Sequence, residues 1–364
     1  MSPRRKFDIG LIFPVIMILS LGLVSLSSAL SSNQGRFNVQ IIWVALCIVV
    51  FLFTSYSDLR TWERFSIPIF TANIILLVLV LIIGKKIGGA QRWLDLGFMN
   101  FQISELTKVS IILFMSYRLN MKPTLEDGYN LFDLVPEVLA LLIPVILIYF
   151  EPDLGTAILI SLIALIMIIS TKINRRWLAG LIIFLIVTSP LLWNFVMKDY
   201  QKKRIVAIAT MMVSDTSEFM LTSQYHTHQS IIAVGSGKFY GKGYKKGTQN
   251  MLNFIPEHHT DFIFSVYAEE FGFAGVSILI LLYLYLLAKI ISMIGRVQDK
   301  FSALMLVGTA SLIWLQVLIN IGMVIGMLPV VGIPLPFFSY GGSSLLSNSF
   351  LLGIVHNISV NRRY

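Results

Sequence analysis

The chain has 364 residues, 56% of them hydrophobic and 13% charged, with a formal net charge of +9; a soluble domain carries about 25% charged residues, so the composition excludes one and demands a lipid environment. Its single cysteine, Cys47, excludes an intrachain disulfide and any multi-thiolate metal centre. The positive charge would suit nucleic acid, but the Lys and Arg residues gather at the ends of apolar runs, which makes them markers of membrane topology and argues for no nucleic-acid partner.

Apolar runs near the ~20 residues that cross hydrocarbon lie at 9–30, 38–55, 67–84, 103–118, 135–150, 154–171, 177–196, 262–294, 301–326 and 342–360. They predict an all-α polytopic membrane protein of about ten transmembrane helices; the fourth and fifth runs are short, so nine or eleven stay open. The first run, Ile9 to Leu30, is too long for the core of a cleavable signal peptide and reads as a retained span. With the N-terminus inside, the segments MSPRRK, SDLRTWERF, RLNMKPTLEDGYNLFD, TKINRRW, GRVQDK and NRRY, with Lys289, hold about 15 basic residues against about 4 in the short outer loops (Arg36, Lys85, Lys86, Arg92). Both termini are therefore expected in the cytoplasm. One connection is long, residues 197–261, about 65 residues and too long to be structureless. It is expected outside the membrane, with its stretches IVAIATMMV and HTHQSIIAV forming amphipathic helices on the outer face. Nothing marks a second domain or an internal repeat, so residues 1–364 read as one transmembrane domain.

An ionisable group inside a span is costly and marks a pathway or a site unless a partner neutralises it. Glu105 and Lys108 are three residues apart on one helix face, so they read either as a structural ion pair or as such a site. EPDLGTA (151–157) joins two spans almost without a loop, and Asp153 in it reads as a helix cap or as an acid held near the outer surface. GSGKFYGKGYKKGTQ (235–249) has the Gly and Lys content for close approach to phosphate oxygens but lacks the Walker A spacing; a flexible basic loop fits equally well. In NFIPEHHTDFIF (253–264), Thr260 or Asp261 could cap the next span, or Asp261 could serve as a general base. Phe254, Phe262 and Phe264 would favour its neutral form, and the helix N-terminus and nearby Lys its charged form. His226, His228, His258 and His259 with Glu257 could assemble a zinc site, although the spacing is not HExxH. Of Glu269 and Glu270, about two turns further on, at least one is expected to face the protein interior. GMLPVVGIPLPFFSYGGSS (326–344) sets three prolines beside several glycines between two spans; irregular backbone of this kind survives at membrane depth only when buried or lining a wet cavity, so it reads as a cavity wall.

Taken together, GAQRWLDLG followed by FQISELTK, EPDLGTA, QSIIAVGSGKFYGKGYKKGTQ, FIPEHHTDFIFSVYAEEFGF and GMLPVVGIPLPFFSYGGSSLL, in this order over most of the chain, resemble the SEDS family (shape, elongation, division and sporulation), and its RodA branch more than the division-associated FtsW branch. Ile103 and Asn100 depart from the family's usual Pro and Arg. The resemblance implies a peptidoglycan glycosyltransferase that polymerises lipid II into glycan strands at the outer face of the bacterial cytoplasmic membrane, for cell elongation and shape. It implies Asp261 as the catalytic carboxylate, and Arg92, Glu105, Lys108, Asp153, Lys238, Lys242, His259, Ser339 and Ser343 as substrate-binding residues. Arg92, Lys108, Lys238, Lys242, Lys245 and Lys246 are the candidates to steady the undecaprenyl diphosphate leaving group, with no metal-ligating residues assigned, although a divalent cation (Mg or Mn) could assist. The partners implied are a class B penicillin-binding protein transpeptidase and other elongation-complex membrane proteins. The alternative is a flippase or transporter of a lipid-linked cell-wall precursor, which ten spans with an intramembrane ion pair and a broken C-terminal segment would also permit.

Overall fold

The computed structural model describes residues 7–31, 34–87, 90–95, 100–123, 128–171, 222–248 and 259–361, and the single residues 180 and 202. The described helices are α1 (Ile9–Ala29), α2 (Gln34–Tyr56), α3 (Leu59–Ile83), α4 (Ile103–Asn120), α5 (Leu131–Phe150), α6 (Leu154–Ser170), α7 (Thr222–Ser236), α8 (Ile263–Ile294), α9 (Lys300–Val324) and α10 (Gly342–Val360). Nine of them coincide with apolar runs read from the sequence, and α7 covers the HTHQSIIAV stretch. The seventh run, 177–196, and the stretch IVAIATMMV fall outside the described residues. Six of the described helices, α1, α2, α3, α5, α8 and α9, are long and apolar enough to cross a membrane by length and composition. In α4 the charges of Glu105, Lys108 and Arg118 interrupt the apolar run.

Short acidic caps start several helices. Asp58 accepts the Arg60 N–H at 3.1 Å before α3, and Asp299 accepts the Ser302 N–H at 2.9 Å before α9. Before α5 the Asp133 side chain accepts the Asn130 N–H at 2.8 Å. The all-α expectation holds for the bundle, with one addition. The GAQRWLDLG region folds into a small antiparallel sheet of β1 (Lys85–Ile87), β2 (Ala90–Asp95) and β3 (Asn100–Gln102), with β2 in the middle and Trp93 opposite Gln102. A run of six residues is too short to register as a strand against the long helical signal around it.

Contacts between helix ends sort the bundle into two ends. At one, Lys289 of α8 lies 3.2 Å from Asp8, whose own N–H donates to His356 Nε2 of α10 at 3.2 Å, and Ser55 of α2 meets His356 Nδ1 at 2.5 Å. Asn120 of α4 donates to Glu63 of α3 at 2.8 Å, and Arg118 pairs with Glu137 of α5 at 3.0 Å, at this same end. The start of α1 and the close of α10 therefore sit together. At the opposite end stand the small sheet, the starts of α4, α6, α8 and α10, and the irregular segment 325–341. That segment is pinned inside: the Tyr283 hydroxyl donates to the Pro336 carbonyl at 2.6 Å, and Ile333, Leu335, Phe337 and Phe338 are buried.

The eighth span is not one helix. Gly272 has φ 63 and ψ −165, outside helical geometry, which breaks α8 between Phe271 and Phe273. Only glycine tolerates that backbone at low cost. The break is used by the Gly/Lys loop: Phe273 and Ala274 N–H groups donate to the Lys238 and Phe239 carbonyls at 2.8 and 3.0 Å, and Lys242 and Gly243 N–H groups donate to the Glu269 and Glu270 carbonyls at 3.0 Å each. The freed backbone groups of the kink are thus satisfied by residues 238–243, and the described part of the loop is docked on the helix rather than loose.

Candidate functional site

Asp261 sits in a turn, residues 259–262, that leads into α8 and is clamped by three other elements. Asn320 of α9 donates from Nδ2 to the Asp261 backbone carbonyl at 2.9 Å and to the Ile333 carbonyl at 2.8 Å, fastening the turn to the irregular segment. From the segment's far end, the Tyr340 N–H donates to the His259 carbonyl at 3.1 Å. Arg36 of α2 places a guanidinium nitrogen 3.1 Å from His259 Nε2, and the His259 and Tyr340 rings are 5.6 Å apart. The N-cap position of α8 is Phe262, not Thr260 or Asp261, and Phe262 has no side-chain cap bond. The half-buried Asp261 side chain instead faces Gly332, where a Cβ would lie 3.3 Å from Asp261 Oδ2; Gly332 has φ +71, so a larger residue there would be strained as well as close to the carboxylate.

A second group of polar residues gathers around Asp153, which does cap α6, accepting the Thr156 N–H at 3.3 Å and the Thr156 hydroxyl at 3.0 Å. Gln102 Nε2 donates to Asp153 at 3.3 Å and to Ser104 Oγ at 2.9 Å, while the Gln102 backbone N–H donates to Ser343 Oγ of α10 at 3.1 Å. Arg92 of β2 lies 3.8 Å from Asp153 and donates from Nε to the Glu151 carbonyl at 3.0 Å, with a further bond to the Pro152 carbonyl. Its side chain remains 28% exposed. Asp153 thus caps α6 and joins this polar group in one arrangement.

The two groups meet across the irregular segment. Gly155, in the first turn of α6, abuts Val331, the neighbour of Gly332: a Cβ at Gly155 would lie 2.4 Å from the Val331 carbonyl oxygen. Because that obstacle is backbone, Gly155→Ala is expected to force α6 and the segment apart and to destabilise the protein by about 1–3 kcal/mol, measured as a lowered thermal unfolding midpoint in detergent. A midpoint unchanged from wild type would show that the contact tolerates a methyl group.

Other expected site residues lie elsewhere or are already engaged. Glu105 and Lys108 form a buried pair at 2.6 Å within α4, one turn beyond Ser104. Lys242 is 2.6 Å from the fully buried Glu269, whose Oε1 also accepts the Thr248 N–H at 2.9 Å, and Glu270 is buried against Ser28 of α1. Both acids face the interior. Lys238, Lys245 and Lys246 are exposed on the loop. Ser339 Oγ accepts the Leu335 N–H at 2.9 Å and braces the irregular segment from within. For the zinc alternative, Glu257 and His258 lie outside the described residues, and among the described residues no three His, Cys, Asp or Glu side chains are gathered to hold a metal.

Four contributors escaped the sequence. Asn320 is one of two amides, with Gln316, in an apolar run, which is signal enough for a buried partner. Glu151 stood beside Asp153 in a motif already singled out. Arg36 and Gln40 on α2 reach the site only through tertiary packing, Gln40 Oε1 accepting the Gly341 N–H at 3.3 Å, and no local pattern announces them.

The family model of the FtsW, RodA and SpoVE cell cycle proteins matches residues 5–364. The peptidoglycan glycosyltransferase MrdB of Escherichia coli K12 is 36% identical over 373 residues, covering 100% of this chain and 98% of that protein. The MrdB of Helicobacter pylori J99 is 35% identical over 351 residues, covering 95% of this chain and 87% of its own. Among solved structures, a chain of a peptidoglycan synthase complex that coordinates polymerization and crosslinking superposes with a TM-score of 0.82 at 29% identity, covering 98% of each chain. The crystal structure of an aspartate-to-alanine mutant of the Thermus thermophilus rod shape determining protein RodA gives 0.72 at 28% identity, covering 99% of each.

Proposed function

We infer function from descent here, since the chain belongs to the FtsW, RodA and SpoVE family of cell cycle proteins. It is a peptidoglycan glycosyltransferase and a multi-pass membrane protein. We propose that it sits in the bacterial cytoplasmic membrane with both termini inside, that its substrate is lipid II, and that Asp261 is its general base. Asp261 takes the proton from the acceptor's GlcNAc 4-hydroxyl while that oxygen attacks the donor's MurNAc anomeric carbon; the bond from that carbon to the diphosphate breaks, undecaprenyl diphosphate departs, and a single displacement inverts the anomeric centre.

The observation that carries this reading is the Asp261 carboxylate held against Gly332 at the bundle end opposite both termini, on one path of contacts with Asp153 and Arg92. Arg92 is the cation best suited to the departing diphosphate. Lys108 and Lys242 are already paired with buried acids, and the exposed Lys238, Lys245 and Lys246 belong to the loop docked on the α8 kink. A divalent cation would add charge at the diphosphate, but the described residues do not gather a ligand set for it, and no step here runs through one. Crosslinking needs a separate enzyme, since the chain lacks the acylating serine motifs of transpeptidases; a class B penicillin-binding protein is the proposed partner, within an assembly of other elongation proteins.

The test is polymerisation of lipid II by the purified protein in detergent. A glycosyltransferase makes polymer there, whereas a flippase makes none and moves substrate only across sealed bilayers.

A further inference from the structure

Glu151 follows the last residue of α5 and stands behind Arg92, outside the spans. It is 0% exposed, and among the described residues neither carboxyl oxygen has a hydrogen-bond partner. The nearby guanidinium does not supply one: Arg92 donates from Nε to the Glu151 carbonyl and from Nη2 to the Pro152 carbonyl, and its Nη1 lies 3.8 Å from Asp153. The charged groups that face Glu151 are therefore Arg92 from β2 and Asp153 at the start of α6. The charges on the other elements packed against α5 are spoken for: on α4, Glu105 and Lys108 neutralise each other, and Arg118 pairs with Glu137 at the opposite end of the bundle, where the charged residues of α3 also lie.

An ionised carboxylate in such a position would be buried without a single donor, which is far more costly than the neutral acid. Burial first, and then the negative charge of Asp153, push the Glu151 carboxyl up to about 8, with Arg92 opposing. At neutral pH the group of three thus holds one positive charge, one negative charge and one proton-bearing acid.

We propose that Glu151 is a positioning residue that acts through Arg92: while it keeps its proton, Arg92 is balanced by Asp153 alone and can turn its exposed edge to a substrate phosphate, and once the proton is lost to solvent a second carboxylate competes for the same guanidinium. The enzyme thereby carries its own alkaline limit. This rests on the glycosyltransferase reading, and it predicts that a neutral side chain at 151 is harmless to the reaction and an ionised one is not.

The experiment is the pH dependence, from 6.5 to 9.5, of lipid II polymerisation in detergent by wild type, Glu151→Gln and Glu151→Ala. Wild-type kcat/KM is expected to fall about tenfold from pH 7 to pH 9, as one ionisation near 8 dictates. Glu151→Gln is expected to stay within about threefold of the wild-type rate at pH 7 and to show no such fall. A wild-type profile flat to pH 9.5, or a fall retained in either variant, overturns the inference while leaving the glycosyltransferase intact; absence of polymer from wild type at every pH overturns the functional reading and this inference with it. Thermal unfolding gives a readout independent of catalysis. An unfolded Glu titrates near 4.5 and the folded one near 8, so the folded state binds the extra proton between these values. Wild-type stability should be greatest at the acid end of that window and decline through it, and Glu151→Gln should lack this decline. A gap between the two proteins that is constant from pH 5 to 8 counts against a proton held at Glu151.

Discussion

Asp261→Asn lowers lipid II polymerisation in detergent by about 10²- to 10⁴-fold, the range a positioned general base contributes, and leaves the thermal unfolding midpoint close to that of wild type. The two halves of this expectation have separate physical causes. The turn that carries Asp261 is fastened through backbone atoms, since Asn320 donates to the Asp261 carbonyl and Tyr340 to that of His259. None of these bonds involves the side-chain carboxylate. Asn has nearly the same shape as Asp, so it meets the same gap at Gly332 but cannot accept the proton of an attacking hydroxyl. Retention of a third or more of wild-type activity would remove Asp261 from the reaction. Retained flipping across sealed vesicles with no polymer from wild type would favour the transporter reading instead.

Lys108→Met and Glu105→Gln, each alone, should destabilise the protein by about 3–5 kcal/mol, because each strands a partner deep in the bundle. Lys108 is 1% and Glu105 3% exposed, and Glu105 Oε2 already lacks a hydrogen bond, so neither survivor could turn to water. The double variant Glu105→Gln with Lys108→Met buries no net charge and should regain most of the loss, read as unfolding midpoints in detergent. Its activity then separates two roles. Polymerisation that returns along with stability marks the pair as scaffold for the neighbouring Ser104 and Asp153; stability without polymerisation marks a direct part in substrate handling. Single variants that lose less than about 1 kcal/mol would mean that water reaches the pair.

Much of this could be read from the chain alone, where one physical signal dominated. Span positions followed from apolar runs because hydrocarbon thickness fixes their length, and the Glu105–Lys108 pair followed from helical spacing. Asp153 and Asp261 were visible as acids at the borders of spans. What escaped depended on distant segments. The kink at Gly272 looks like one more apolar turn until residues 238–243 are seen to satisfy its backbone, and β2 pairs with neighbours too short to show periodicity. For Lys242 the sequence offers an anion site or a flexible basic loop, and its pairing with Glu269 depends on the docked loop that brings the two together. Ser339 is a binding residue only by the resemblance, and in the structure its hydroxyl accepts the N–H of Leu335, four residues earlier in the same segment.

The seam between the first and last helices bears on how the protein is made. Asp8 and His356 touch although 348 residues separate them, and Gly353 of α10 packs on Thr54 of α2 so closely that a Cβ would lie 1.8 Å from Thr54 Oγ1. Spans leave the ribosome in order, so α1 and α2 must wait in the bilayer, with Ser55 and the Asp8 end uncovered, until the final stretch is synthesised. That same stretch brings Ser343 to Gln102. A nascent chain halted before residue 342 would therefore lack both the clasp at one end and the tie from Ser343 to the small sheet at the other, and would stand in the bilayer as a half-open bundle.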